Sequence, residues 1–236
     1  MSDVVTVNPA TDEVLERYPG LDSASLDAAL QRAADAQRAW RRVPVAERVA
    51  PLRRVAELLR EEVEVHAALI SREMGKPITE AIAEVRKCAL TCDYYADHAE
   101  EFLAAQPIST EASTSFVAYE PLGVVLAVMP WNFPYWQVIR FAAPTLAAGN
   151  GGLLKHASNV TGSALAIESV FLRAGFPAGL FQTLVLSEHS MVDVIIADSR
   201  VAAVTLTGSE AAGSSVAAAA GRALKKTVLE LGGSDP

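Results

Sequence analysis

The chain has 236 residues and a formal charge of -8 at pH 7, with 51% of its residues apolar, 20% charged and 6% aromatic. That length supports a sizeable core, at or slightly above one domain, and the acidic balance argues against a nucleic-acid partner, whose phosphates need a basic face. The sequence contains no run of eighteen apolar residues, and MSDVVTVNPATDE has neither a basic start nor an apolar leader segment. Neither a membrane partner nor secretion is expected, and the chain reads as soluble and cytoplasmic.

Residues 22–105 read as three successive helices. Ser23 or Ser25 can cap the first, LDAALQRAADAQRAW, whose apolar residues recur at helical spacing. Pro44 separates it from VAERVAPLRRVAELLREEVEVHAALISREMGK, one predicted helix for which Gly75 supplies the stop. The third runs from Pro77 through EAIAEVRKCALTCDYYADHAEEFLA. Proline is tolerated at a first turn because its missing N–H has no helical partner there. Cys88 and Cys92 fall four residues apart on this helix, side by side, a geometry that suits reduced thiols and not a disulfide. A metal would need more ligands than His98 nearby, so no metal site is expected.

The period then changes. TEASTSFVAYEPLGVV alternates small polar and apolar residues, as in an extended hairpin, and GVVLAVMP reads as a strand covered on both faces. Beyond it WQVIRFAAPTLAAG is helical, GGLLK strand, and TGSALAIESVFLRAG helical with Gly175 as its stop. LFQTLVL is strand, MVDVIIAD a short helix, VAAVTLTG strand, SEAAGSSVAAAAGRA helical and KTVLEL strand. This alternation predicts an α/β fold, a Rossmann-type doubly wound parallel sheet preceded by N-terminal helices, with ligands at the carboxyl ends of the strands. No G-x-G-x-x-G follows a strand and the P-loop pattern does not occur, so periodicity defines a fold class and not a function.

MPWNFPYWQ carries more information. Two prolines bracket Trp131, Asn132 and Phe133, fixing φ on both sides. An asparagine so held at the end of a parallel strand can donate its amide N–H to a developing oxyanion, or it can simply cap the next helix. PWNFP, LLK at 153–155, LTGS at 206–209 and LELGG at 229–233, with EPLGVV ahead of them, resemble the aldehyde dehydrogenase superfamily in order and spacing over essentially the whole chain. The forms LKHASN and ELGGSDP are most similar to its bacterial succinate-semialdehyde dehydrogenase branch.

The resemblance implies a role for each matching position. Asn132 would be the oxyanion donor, and Glu230 the general base that activates water against a thioester. Lying between Leu229 and Leu231, that carboxylate is expected to be partly desolvated. Lys155 would bond the adenosine ribose, or else be a solvated lysine at a strand end. Gly208 and Ser209 would present free backbone N–H groups to a pyrophosphate at a helix start, a role compatible with an ordinary serine cap. Val128, Met129, Trp131 and Leu231 would line the cofactor groove, where Gly232 and Gly233 let the backbone approach the nicotinamide.

Departures from the family pattern shape the rest. Ser158 stands where many NAD-preferring members carry a ribose-chelating glutamate, so NADP is expected to be accepted, with NAD the other cofactor considered. A lysine common in the family is Phe141 here; Arg140 beside it becomes a candidate to orient an anionic substrate through a forked contact, or an arginine paired with an acid. LVLSEHSMVD replaces the family's Gly-rich turn. The family's nucleophilic cysteine lies beyond ELGG, and neither Cys88 nor Cys92 sits in a matching context. Residues 1–236 are therefore expected to be the coenzyme-binding part of an aldehyde dehydrogenase, with an oligomerisation hairpin at 107–121, a small-molecule aldehyde as substrate and homo-oligomers as the assembled form. The C-terminal catalytic domain is expected to be absent, and the chain alone inactive.

Overall fold

A computed structural model describes residues 2–233. The chain opens with an antiparallel pair not foreseen in the sequence, β1 (Val4–Val7) and β2 (Val14–Tyr18). Asn8 makes the turn: its side chain accepts from Ala10 N–H at 3.0 Å, and its carbonyl from Thr11 and Asp12.

Four helices follow, where three were expected: α1 (Ser23–Trp40), α2 (Val45–Glu61), α3 (Val63–Met74) and α4 (Ile78–Phe102). Asp22, rather than Ser23 or Ser25, caps α1, accepting from Ser25 N–H at 2.6 Å. The predicted second helix breaks at Glu62, whose backbone leaves helical geometry (φ -109°, ψ 19°). Its carboxylate pairs there with both guanidinium nitrogens of Arg173, at 2.6 and 2.7 Å. Gly75 ends α3 in the left-handed region (φ 76°), as its position implied. On α4 the buried face is built of small residues, Ala81, Ala89, Ala96 and Ala99 with Cys88 and Cys92, so neighbouring helices can approach closely.

The extended hairpin expected after α4 is reduced to β3 (Gln106–Pro107) and β4 (Phe116–Val117), each two residues long and exposed. It has no core of its own: Ile108, Phe116, Val117 and Tyr119 all face outward.

The main sheet matches the expected alternation. Its strands are β5 (Val124–Met129), β6 (Gly151–His156), β7 (Phe181–Thr183), β8 (Val201–Gly208) and β9 (Lys226–Leu231). Helices α5 (Trp136–Ala147), α6 (Thr161–Arg173), α7 (Ser190–Ala197) and α8 (Glu210–Arg222) connect them. All pairings are parallel and the order is β7-β6-β5-β8-β9. The chain winds outward from β5 through β6 to β7, then returns to β8 on the other side.

Alternation along the strands divides two cores. Leu126 and Leu153 join α1, α7 and α8 on one face, while Ala127, Met129 and Leu154 join α2 to α6 on the other. Burial of both faces is what makes these strands read as continuous apolar runs. Among the described residues no helix is long and apolar enough to cross a membrane.

Candidate active site at the strand ends

Reversal of winding direction between β5 and β8 leaves a crevice at their carboxyl ends, where ligands of open α/β sheets bind. A cleft of about 450 Å³ opens there, lined by Pro130, Trp131, Asn132, Thr207, Gly208, Ser209, Glu230, Leu231 and Gly232. Seven of the residues singled out in the sequence thus meet in one place: Trp131, Asn132, Gly208, Ser209, Glu230, Leu231 and Gly232.

Each arrives by a different route. Trp131 and Asn132 are exposed on the loop leaving β5. Asn132 does not cap α5: the capping position falls to Tyr135, which makes no side-chain bond of that kind. Ser209 does cap α8, accepting from Ala212 N–H at 3.3 Å. Gly208 and Ser209 line the cleft, so the start of α8, where the first backbone N–H groups lack helical partners, lies beside it. Glu230 and Leu231 come from β9, in register with Thr207 and Gly208.

Glu230 departs from expectation. It is not desolvated between its leucines: its side chain is 51% exposed and forms an ion pair with Arg140. The reason is topological, since β9 is an edge strand whose residues are nearly all exposed. Arg140, on α5, also donates to Gln137 Oε1 at 2.8 Å. It reaches Glu230 across a second, more apolar hollow of about 400 Å³ lined also by Met129, Phe141 and Val228. The structure thus joins the candidate substrate arginine to the candidate base.

Lys155, Ser158 and Val128 do not line the cleft itself. Val128 and Lys155 are partners in the β5–β6 register, and Ser158 is exposed at the start of a short 3-10 turn (Ser158–Val160) just beyond β6. Burial of the Lys155 ammonium pulls its pKa below the usual lysine value. Cys88 and Cys92 are free, fully buried thiols, and burial pushes both pKa values up.

Sequence reasoning missed several polar residues packed behind the site. Glu84 on α4 accepts from the N–H groups of Tyr135 and Trp136 at 2.8 and 2.9 Å, and pairs with Lys76. Glu73 on α3 caps α6, accepting from Gly162 N–H and Ser163 N–H, both at 2.8 Å. His156 ends β6 buried beneath the Pro130–Pro134 loop. A signal was available for both glutamates: each lies on the apolar stripe of its helix, Glu84 beside Ala81 and Cys88, Glu73 beside Ile70. Carboxylates in such places are rarely left without partners.

Parallel α/β architecture with a cleft at its winding reversal defines a nucleotide-binding type of fold. Residues 2–236 match the aldehyde dehydrogenase family, and the chain belongs to that family. It is 54% identical over 233 residues to a probable succinate-semialdehyde dehydrogenase [NADP(+)] of Synechocystis, a match covering 99% of this chain and 51% of that protein. A succinate-semialdehyde dehydrogenase [NADP(+)] 1 of Mycobacterium tuberculosis is 50% identical over 236 residues, again covering 99% and 51%. Among solved structures, succinic semialdehyde dehydrogenase from Streptococcus pyogenes in complex with NADP+ superposes with a TM-score of 0.95 at 43% identity, covering 98% of this chain and 51% of that one. The chain spans about half the length of the relatives it matches.

Proposed function

We propose that residues 1–236 form the coenzyme-binding part of a cytoplasmic NADP-dependent aldehyde dehydrogenase whose substrate is succinate semialdehyde. One observation carries the reading: the crevice at the winding reversal gathers Asn132, Glu230 and the start of α8 around a single cleft. The names of the relatives support its substrate and cofactor.

The residues present fit such a cofactor. Lys155 is a part-buried cation with no ion pair among the described residues, and Ser158, three residues further along the chain, adds no negative charge against a 2′-phosphate. Gly208 and Ser209 both line the cleft, which places the start of α8 where a phosphate would meet its free amides. A bound nicotinamide would supply the hydride acceptor for aldehyde oxidation. Trp131 and Leu231, which line the cleft, are the proposed walls of its groove, with the backbone of Val128 and Met129 at its base.

Asn132 donates its amide N–H to the aldehyde oxygen as negative charge develops there. Glu230 takes a proton from the attacking water. Arg140 holds the distal carboxylate of the substrate, which competes with Glu230 for the guanidinium and so frees the base as the anion binds. Neither cysteine serves as the nucleophile, because both are sealed inside the helical layer as thiols. In this reading the chain alone oxidises no aldehyde. Exposed apolar side chains of the 107–121 hairpin support assembly into homo-oligomers.

Calorimetric titration with NADP+ and NAD+ tests the reading. Tighter binding of NADP+ is expected, with Lys155→Ala weakening it roughly tenfold, about the value of one charged hydrogen bond. Binding of neither nucleotide to the folded chain overturns it.

A further inference from the structure

Asn132 is exposed on a loop, yet an oxyanion donor works only when its direction is set beforehand. The backbone beneath it is held from two sides by buried polar groups. His156, 6% exposed, lies under the loop, with Nε2 2.9 Å from the Pro134 carbonyl. The N–H of Ala157 is shared between His156 Nδ1 at 2.9 Å and the Met129 carbonyl at 3.0 Å. Nδ1 therefore accepts, and the proton sits on Nε2, donated to Pro134. The imidazole thus donates directly to the Pro134 carbonyl at one end of Pro130–Phe133, and at the other end shares the Ala157 N–H with the Met129 carbonyl.

Glu84, 4% exposed, holds the far end. A single oxygen, Oε1, accepts from the amides of Tyr135 at 2.8 Å and Trp136 at 2.9 Å, while Oε2 pairs with Lys76. The same Lys76 Nζ stands 3.8 Å from the centre of the Phe133 ring. A buried carboxylate, its ammonium partner and a buried imidazole are costly ways to shape a turn that a single surface serine could cap. All three converge on the eight residues that carry Asn132.

We propose that Glu84 and His156 are positioning residues that fix the 129–136 segment, and with it the direction of the Asn132 amide. The inference rests on the reading of Asn132 as oxyanion donor. It also gives consecutive residues of β6 separate tasks: strand alternation turns Lys155 toward one face of the sheet and His156 toward the other, under the loop.

The test uses the full chain without cofactor, so that it succeeds or fails independently of nucleotide binding. Amide exchange is followed by mass spectrometry, and the Asn132 side-chain amide by NMR, in wild type, His156→Phe, His156→Gln and Glu84→Gln. Phenylalanine keeps the ring and loses both hydrogen bonds; glutamine restores a donor at the Nε2 position. The expected result is exchange across 131–136 roughly fivefold or more faster in His156→Phe, near wild type in His156→Gln, and unaltered in β5 and β8. The Asn132 amide signals should narrow toward solvent-averaged values only in His156→Phe and Glu84→Gln.

Unchanged exchange in the segment of a folded His156→Phe protein overturns the proposal, as does an increase spread evenly over the sheet, which marks a merely structural role. Should His156→Phe fail to fold, Glu84→Gln decides: the Asn132 signals and the Tyr135–Trp136 amides must loosen, and wild-type behaviour there overturns the proposal.

Discussion

The centre of the main sheet and its β9 edge are built from similar residues and live in different surroundings. Leu126 and Leu154, in β5 and β6, are fully buried, whereas Val228 and Leu231 in β9 are 63% and 42% exposed. Both regions contribute to the same cleft. The contrast shows that its two halves are prepared to different degrees. The Asn132 side rests on closed packing and buried hydrogen bonds, while the Glu230 side rests on one neighbouring strand, α8 and a half-exposed ion pair.

The largest effect that can break this comparison is a truncation in each region. Leu126→Ala should cost about 3 kcal/mol, because it removes a fully buried side chain and leaves a cavity in a layer sealed on both faces. Val228→Ala should cost less than about 1 kcal/mol, since most of that side chain is already in water. Urea unfolding of the two variants measures the difference. Equal losses would mean that β9 is packed in solution as tightly as β5.

The same contrast explains what was legible in the sequence. The strands from β5 to β8 could be read because burial on both faces imposes apolar runs, and the helices between them because each keeps one apolar stripe. The site motifs could be read because PWNFP, LLK, LTGS and LELGG resemble those of a known family in order and spacing. Exposure of Glu230 could not be read, since VLEL is as apolar as a central strand and only the sheet order makes β9 an edge. The β1–β2 pair escaped because it lies outside the main sheet and only some of its residues are buried. The break at Glu62 depends on Arg173, more than a hundred residues away in the chain, and no local pattern encodes such a partner.

A smaller effect sharpens the comparison through pH. Burial lowers the pKa of His156 from 6.5 to about 4, so between those values the unfolded chain binds a proton that the folded chain does not. Stability contributed by neutral His156 is therefore present above pH 6.5 and is lost as the pH falls toward 4. Between pH 7 and 5 the loss from this group should be about 2 kcal/mol. His66 shifts in the same direction through burial, while burial raises the carboxyl pKa of Glu73 and Glu168, which act in the opposite sense as the pH rises through the carboxylate range. Comparing the pH slopes of wild type and His156→Gln isolates the histidine. The variant should have the flatter slope on the acid side, and parallel slopes would show that His156 is solvated.

The smallest effect concerns the exposed half of the site. Arg140 and Glu230 are 35% and 51% exposed as side chains, and an ion pair so open to water contributes less than about 1 kcal/mol to stability. Arg140→Ala should accordingly leave the unfolding midpoint nearly unchanged. It should also leave NADP+ binding within about twofold of wild type, because Arg140 faces the apolar hollow and does not line the cleft beneath Asn132. The change to be measured is local: with its partner gone, amide exchange at the end of β9 should rise while that of β5 does not. If instead Arg140→Ala destabilises the whole chain or abolishes nucleotide binding, the pair is holding the edge strand in place, and the Glu230 half of the site is as firmly prepared as the Asn132 half.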